Sequence, residues 1–345
     1  MRAATLTGIR ELELVDTPPP VLTDPEDVRI RMKTVGICGS DVHYYTTGRI
    51  GSQVVHYPYM VGHEGAGVVE EIGASVTQLK PGDRVAIDPA VSCHKCDQCR
   101  AGREHTCRNL KFLGCPGQMD GCLCDDLVMP AKCCYPIPET MSMEEAALIE
   151  PLSIGVYAVQ HSIPMANAKI GILGMGPIGL SVMQAAQAAN AAAVYATDRL
   201  DYRCEAATRH GAEWTGNPDR VNIAESVHEL EALGLDVVFE CCGQQEALDQ
   251  AFELLKPGGT VMIVGIPEFD RFSFPADTAR RHELRLQHVR RQNNCVQKAI
   301  DLVASGKIQP DFMVTHRFEL AQSKTAFDLV DQYADGVVKA MIHFD

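Results

Sequence analysis

The sequence predicts an α/β protein whose first part, to about residue 150, is β-rich and whose middle part is a doubly wound parallel sheet. Three observations carry this. Turn formers separate short β-branched runs in the first part. Strand-like and helix-like segments then alternate. A glycine-rich turn joins the first strand of that alternation to its first helix.

The chain has 345 residues, more than one small core usually organises, so two domains are expected. In the first part Pro18-Pro19-Pro20, Asp24-Pro25, Pro81-Gly82-Asp83 and Pro116-Gly117 bracket runs such as Val28–Ile30 and Val68–Ile72. Beyond them, Lys169–Leu173 and Ala193–Thr197 read as strands, as do Leu235–Glu240, Gly259–Val264 and Glu283–Val289. Helices are expected at Ile178–Ala189, Asp201–His210 and Gln244–Leu255, the last stopped by Lys256-Pro257-Gly258-Gly259. The tail adds a helix at Cys295–Ser305 and strand-like segments near Met313–Phe318 and Val337–His343.

Composition is that of a globular chain, 46% hydrophobic and 22% charged. The net charge of −14 disfavours nucleic acid and anionic lipid as partners. The opening residues lack the apolar core of a signal peptide and no long apolar run exists, so a cytoplasmic protein is expected. Without an export signal, the 14 cysteines point to metal and packing rather than disulfides. Cys133, Cys134, Cys241 and Cys242 are expected among the buried packing thiols.

Gly174-Met175-Gly176-Pro177-Ile178-Gly179 follows a strand and opens a helix, the context of a dinucleotide site. The first glycine makes the turn, the second admits a pyrophosphate and the third lets helix and strand approach. Asp198 ends the next strand, where a carboxylate binds the ribose hydroxyls of NAD and repels the 2′-phosphate of NADP. Arg199 and Arg203 stand nearby and either can pair with a phosphate, but Asp198 favours NAD.

Cys93-x-x-Cys96-x-x-Cys99, with Cys107 eight positions on, has the spacing of a closed four-thiolate zinc shell that leaves no position for water. Lys95, Arg100 and Arg103 are placed to offset its charge. An iron–sulfur cluster lacks its Cys-Pro ending here, and a nucleic-acid zinc ribbon conflicts with the acidic charge.

Cys38 within Gly36–His43, the Gly62-His63-Glu64-Gly65 segment and Glu150-Pro151 each have a bland reading alone. Together, in this order with the four-cysteine loop and the glycine turn, they resemble the zinc-containing medium-chain dehydrogenases end to end. Cys38–Tyr45, Gly48-Arg49-Ile50-Gly51 and Glu150-Pro151-Leu152-Ser153 are most similar to the sorbitol (xylitol) dehydrogenase branch.

The resemblance implies a GroES-like catalytic domain over 1–148 and 290–345, and a Rossmann coenzyme domain over 149–289. It implies one catalytic and one structural zinc, with Cys38, His63 and Glu64 as catalytic ligands. Glu150 either binds that metal or holds its water, and charge balance favours the second. It makes Ser40 the first proton relay and His43 a second, with Asp41 orienting a histidine ligand. Arg203 matches an adenosine-ribose contact; Val264, Gly265, Ile266, Val289 and Arg290 match segments on the nicotinamide half. Tyr44 and Phe112 match pocket walls, and Arg290 and Glu150 are further candidates for substrate contact.

The implied activity is oxidation of a polyol by NAD, in a homotetramer or homodimer. Two features depart from the branch. Val289–Asn293 replaces an aromatic-Arg-Tyr segment, and the Cys115–Cys124 loop is unusual, placing Cys122 and Cys124 close together near the expected substrate. A threonine, butanediol or inositol-type dehydrogenase is therefore an alternative. A non-catalytic NAD-binding relative is a more distant one, since such chains usually lose Cys38 and the Gly-His-Glu segment.

Overall fold

The computed structural model describes residues 1–267 and 269–345. The chain divides into two compact units, Met1–Glu150 with Val296–Asp345, and Pro151–Cys295. Residues 149 and 150 thus belong to the first unit and 290–295 to the second.

The first unit is built on a seven-stranded sheet. Its strands run in the order Cys134–Pro136, Arg84–Ile87, Glu64–Ile72, Asp27–Gly36, Lys339–His343 and Val314–Glu319, with Asp126–Pro130 also pairing to Asp27–Gly36. Period two is plain in Asp27–Gly36: Val28, Ile30, Met32 and Thr34 are buried, while Arg29, Arg31 and Lys33 alternate with them. The inward side chains join Leu6, Val69, Val85, Leu127 and Met129 in one apolar core. Register brings three chemically distinct stretches together. Gly36 faces Glu64 on one neighbour and Met341 on the other, so Cys38, Glu64 and Lys339 share one end of the sheet.

Several helices went unread in the sequence, among them Ser323–Asp331 and two that bear on the site. Gly39–Thr47 starts at Cys38, where Asp41 Oδ2 accepts from the Cys38 N–H at 3.2 Å, and stops at left-handed Gly48. Met143–Gln160 opens with a reciprocal cap: the Glu145 N–H donates to Ser142 Oγ and the Ser142 N–H to Glu145 Oε2. Glu150-Pro151 lies inside this helix. A proline omits one helical hydrogen bond, and the buried apolar residues around it, from Ala146 to Leu152, hold the helix through that gap.

The second unit is a six-stranded, wholly parallel sheet in the order Trp214–Gly216, Ala193–Thr197, Lys169–Leu173, Leu235–Glu240, Leu255–Ile263 and Arg285–His288. Strand order therefore reverses between Lys169–Leu173 and Leu235–Glu240, where open α/β sheets bind ligands at their carboxyl ends. Strand Leu255–Ile263 begins earlier than the expected Gly259. Leu255 already pairs with Leu235, the Pro257–Gly258 stretch bulges out, and pairing resumes at Thr260. Helix Pro177–Ala188 starts on its proline, which needs no N–H partner there.

Candidate active site

Cys38 caps the helix Gly39–Thr47, Glu64 begins the adjoining strand and His63 immediately precedes it. Their Sγ, ring nitrogen and carboxylate oxygen all lie within 4.8 Å of one another. A thiol, an imidazole and a carboxylate converging so closely fit a zinc ion that keeps one position open. Glu150 is not among this group.

The surrounding groups are specific. Asp41, 1% exposed, places Oδ1 3.3 Å from His63 Nδ1 and accepts the Gly62 N–H with the same oxygen at 3.2 Å. Burial alone would lower the His63 pKa, but the Asp41 carboxylate and then the Cys38 sulfur overcome it, so the metal-free imidazole is held well above its usual range. Ser40 donates to Cys38 Sγ at 3.3 Å, and His43 lies three residues further along the same helix, half-buried. The Phe112 ring sits 5.4 Å from the His63 ring. Buried Tyr44 donates its hydroxyl to Gln53 Oε1 at 3.2 Å. Burial pushes Glu150 up to about 7, with His63 opposing and Glu64 reinforcing the shift.

Lys339 was missed in the sequence. It is 1% exposed, and its ammonium donates to Glu64 Oε2 at 2.6 Å, Glu64 Oε1 at 2.8 Å and the Ile37 carbonyl at 3.0 Å. Its three donors are thus all used, and both Glu64 oxygens face a cation. A signal existed: a single lysine interrupts the apolar run Val337-Val338-Lys339-Ala340-Met341-Ile342, and a strand buries a lysine only with a partner.

Cys93, Cys96, Cys99 and Cys107 also converge, with ligand atoms within 4.8 Å of one another. The Cys96–Cys99 and Cys96–Cys107 sulfurs are 3.5 and 3.9 Å apart. Sulfurs at the corners of a zinc tetrahedron stand about 3.8 Å apart, so the four fit that ion. The Lys95 N–H and then the Asn109 amide draw Cys93 down to about 5, while desolvation and neighbouring thiols push Cys99 up to about 12 in the metal-free loop. Arg108 pairs with Asp97 at the edge of the loop. Cys115, Cys122 and Cys124 are buried, and burial raises the last two thiols, which makes them packing groups. Cys133 and Cys134 are buried as expected, but Cys241 is only half-buried and Cys242 is exposed.

In the second unit Gly174 has φ +95, a left-handed turn. A Cβ on Gly179 would lie 1.9 Å from the Gly174 carbonyl oxygen, so only glycine lets the helix close on the turn. Asp198 fastens it: Oδ2 accepts the Met175 N–H at 2.7 Å and Oδ1 the Leu200 N–H at 2.9 Å. The Arg203 guanidinium stands 3.7 Å from Asp198 and against Gly176. Val264, Gly265 and Ile266 follow the strand Leu255–Ile263, Val289 bonds back to the Ile263 carbonyl, and Arg290 is exposed.

Comparison with known proteins decides what these two sites belong to. The family model for the alcohol dehydrogenase GroES-like domain matches residues 24–139, and that for zinc-binding dehydrogenases matches 177–305. The chain belongs to the zinc-binding dehydrogenase family. It is 35% identical to the sorbitol dehydrogenase of Bacillus subtilis over 99% of this chain and 97% of that one. A zinc-binding dehydrogenase of Sinorhizobium meliloti bound to NADP superposes with a TM-score of 0.91, at 32% identity over 99% of both chains. An Escherichia coli alcohol dehydrogenase complexed with NADH gives 0.92, at 28% identity over 100% of this chain and 99% of that one. Both cysteine-containing ligand clusters lie in the first unit and the glycine turn at Gly174 in the second.

Proposed function

We propose that this zinc-binding dehydrogenase oxidises a secondary hydroxyl of a polyol to the ketose, with NAD as hydride acceptor. The carrying observation is the Cys38–His63–Glu64 cluster with Ser40 on the Cys38 sulfur. A zinc ion held by Cys38, His63 and Glu64 supplies Lewis acidity, which lowers the pKa of a substrate hydroxyl. Asp41 fixes the His63 ring, and Lys339 fixes the Glu64 carboxylate. Ser40 takes the hydroxyl proton and His43, one helical turn on, passes it to water. Glu150, with its carboxyl raised to about 7, orients water or substrate rather than completing the metal shell. Tyr44 and Phe112 wall the substrate.

In the second unit Asp198 receives the ribose hydroxyls and disfavours a 2′-phosphate, while Arg203 beside Gly176 attracts pyrophosphate. Val264, Gly265, Ile266 and Val289 line the nicotinamide half. Cys93, Cys96, Cys99 and Cys107 hold a structural zinc that shapes their loop. Family resemblance supports a cytoplasmic homotetramer or homodimer, which light scattering of the purified protein distinguishes.

NADH formation from sorbitol, xylitol, inositol, threonine, butanediol and ethanol, each with and without a chelator, tests the reading. Chelator-sensitive turnover fastest on a sugar alcohol is expected. Fastest turnover of threonine or a simple alcohol would overturn the substrate class, and no turnover of zinc-loaded protein with NAD or NADP would overturn the enzyme reading.

A further inference from the structure

Glu240 ends the strand Leu235–Glu240 beside the point where strand order reverses, opposite Leu173 on one side and Ile263 on the other. It is 0% exposed, yet it carries a carboxylate. Water does not compensate a charge placed there, so its hydrogen bonds define what it does.

Those bonds join loops. Oε1 accepts the N–H of Cys242 at 2.8 Å and of Gly243 at 2.5 Å. The Glu240 carbonyl accepts the N–H of Val264 at 2.8 Å and of Gly265 at 2.9 Å. The two loops then touch directly, for a Cβ on Gly265 would lie 2.2 Å from the Gly243 nitrogen and 2.8 Å from Glu240 Oε2. The 241–243 loop in turn backs the glycine turn: the Cys241 N–H donates to the Leu173 carbonyl, and a Cβ on Gly174 would lie 2.9 Å from Cys242 Cβ. Oε2 has no hydrogen-bond partner among the described residues, a costly state for a buried oxygen.

We infer that Glu240 is a positioning residue for the dinucleotide. Its carboxylate acts through Cys242 and Gly243, and that loop packs directly on Gly265, locking the nicotinamide-side loop against the glycine turn before cofactor arrives. A loop held in its bound shape loses little freedom on binding, so cofactor affinity, more than chemistry, depends on this residue. The inference rests on the dinucleotide reading of the second unit.

The test is NADH binding by fluorescence titration of the zinc-loaded protein, with thermal midpoint and polyol KM measured alongside. Glu240→Ala leaves the buried Gly243 N–H and the part-buried Cys242 N–H unpaired and is expected to raise the NADH Kd at least about tenfold, with polyol KM at saturating cofactor unchanged. Glu240→Gln keeps a carbonyl acceptor and should stay within about threefold of the parent. Gly265→Ala wedges the same loops apart, its Cβ meeting the Gly243 nitrogen and Glu240 Oε2 while the carboxylate itself is kept, and should raise the Kd even if Glu240→Ala does not fold. Parent-like Kd values in the alanine variants that fold, or an equal loss in Glu240→Gln, would overturn the inference. If the parent binds neither NADH nor NADPH, the dinucleotide reading fails first and the inference falls with it.

Discussion

Replacing Lys339 by methionine removes the cation that faces Glu64 and keeps the side chain's length. The pair is among the most buried in the chain, with side-chain exposures of 1% and 2%. At 2.6 Å and an effective dielectric near 20 its Coulomb attraction is about 6 kcal/mol, much of which offsets desolvation. Removing one partner strands the other, so Lys339→Met should destabilise the metal-free first unit by about 3–5 kcal/mol. Replacing both partners by apolar residues, as in Lys339→Met with Glu64→Leu, should restore most of that. The single tryptophan, Trp214, lies in the second unit, so fluorescence would miss the effect. Hydrogen exchange of the strands Asp27–Gly36 and Glu64–Ile72 reads it directly. A single-variant loss below about 1 kcal/mol, or no recovery in the double variant, would refute the argument that this pair is a compensated buried charge.

Asp41→Asn keeps the size of the side chain but removes the charge beside His63 Nδ1, and should weaken zinc retention at the Cys38 centre about 10- to 100-fold in a chelator competition. Cys99→Ser should lower bound zinc from two ions to one per chain by atomic absorption, because three sulfurs no longer close the loop. Glu150 is raised from 4.5 to about 7, so its ionised form is disfavoured in the fold and the metal-free protein loses stability as pH rises through that window. Glu150→Gln should therefore raise the metal-free melting temperature at pH about 8, a gain on the order of 3 kcal/mol, and give none near pH 4.5. A gain at acid pH instead would reverse the sign of the argument.

Much was legible where chemistry is local in the chain. The glycine turn, its strand and its acid lie within 30 residues, from Lys169 to Asp198, because one strand–helix–strand unit builds them. The four cysteines fall within 15 positions, from Cys93 to Cys107, because one loop wraps one ion. Regular alternation of apolar runs and breakers gave five of the six strands of the parallel sheet to within a few residues, and missed only the three-residue edge strand Trp214–Gly216. Helix Met143–Gln160 was hidden by Pro151, because local propensity opposes what the surrounding buried residues enforce.

Cys38, His63, Glu64 and Glu150 could be joined only by resemblance, since no periodicity links positions so far apart. What the sequence by itself determined is the two-part α/β class, the cysteine loop and the dinucleotide turn. Tertiary structure alone decided that Lys339, 275 residues from Glu64, neutralises that carboxylate, and that the loop Glu240 holds with its side chain meets the Val264–Gly265 loop, which its carbonyl holds. The physical reason is the same for both: pairing register between strands distant in sequence sets which buried charges meet, and burial then makes the partner obligatory.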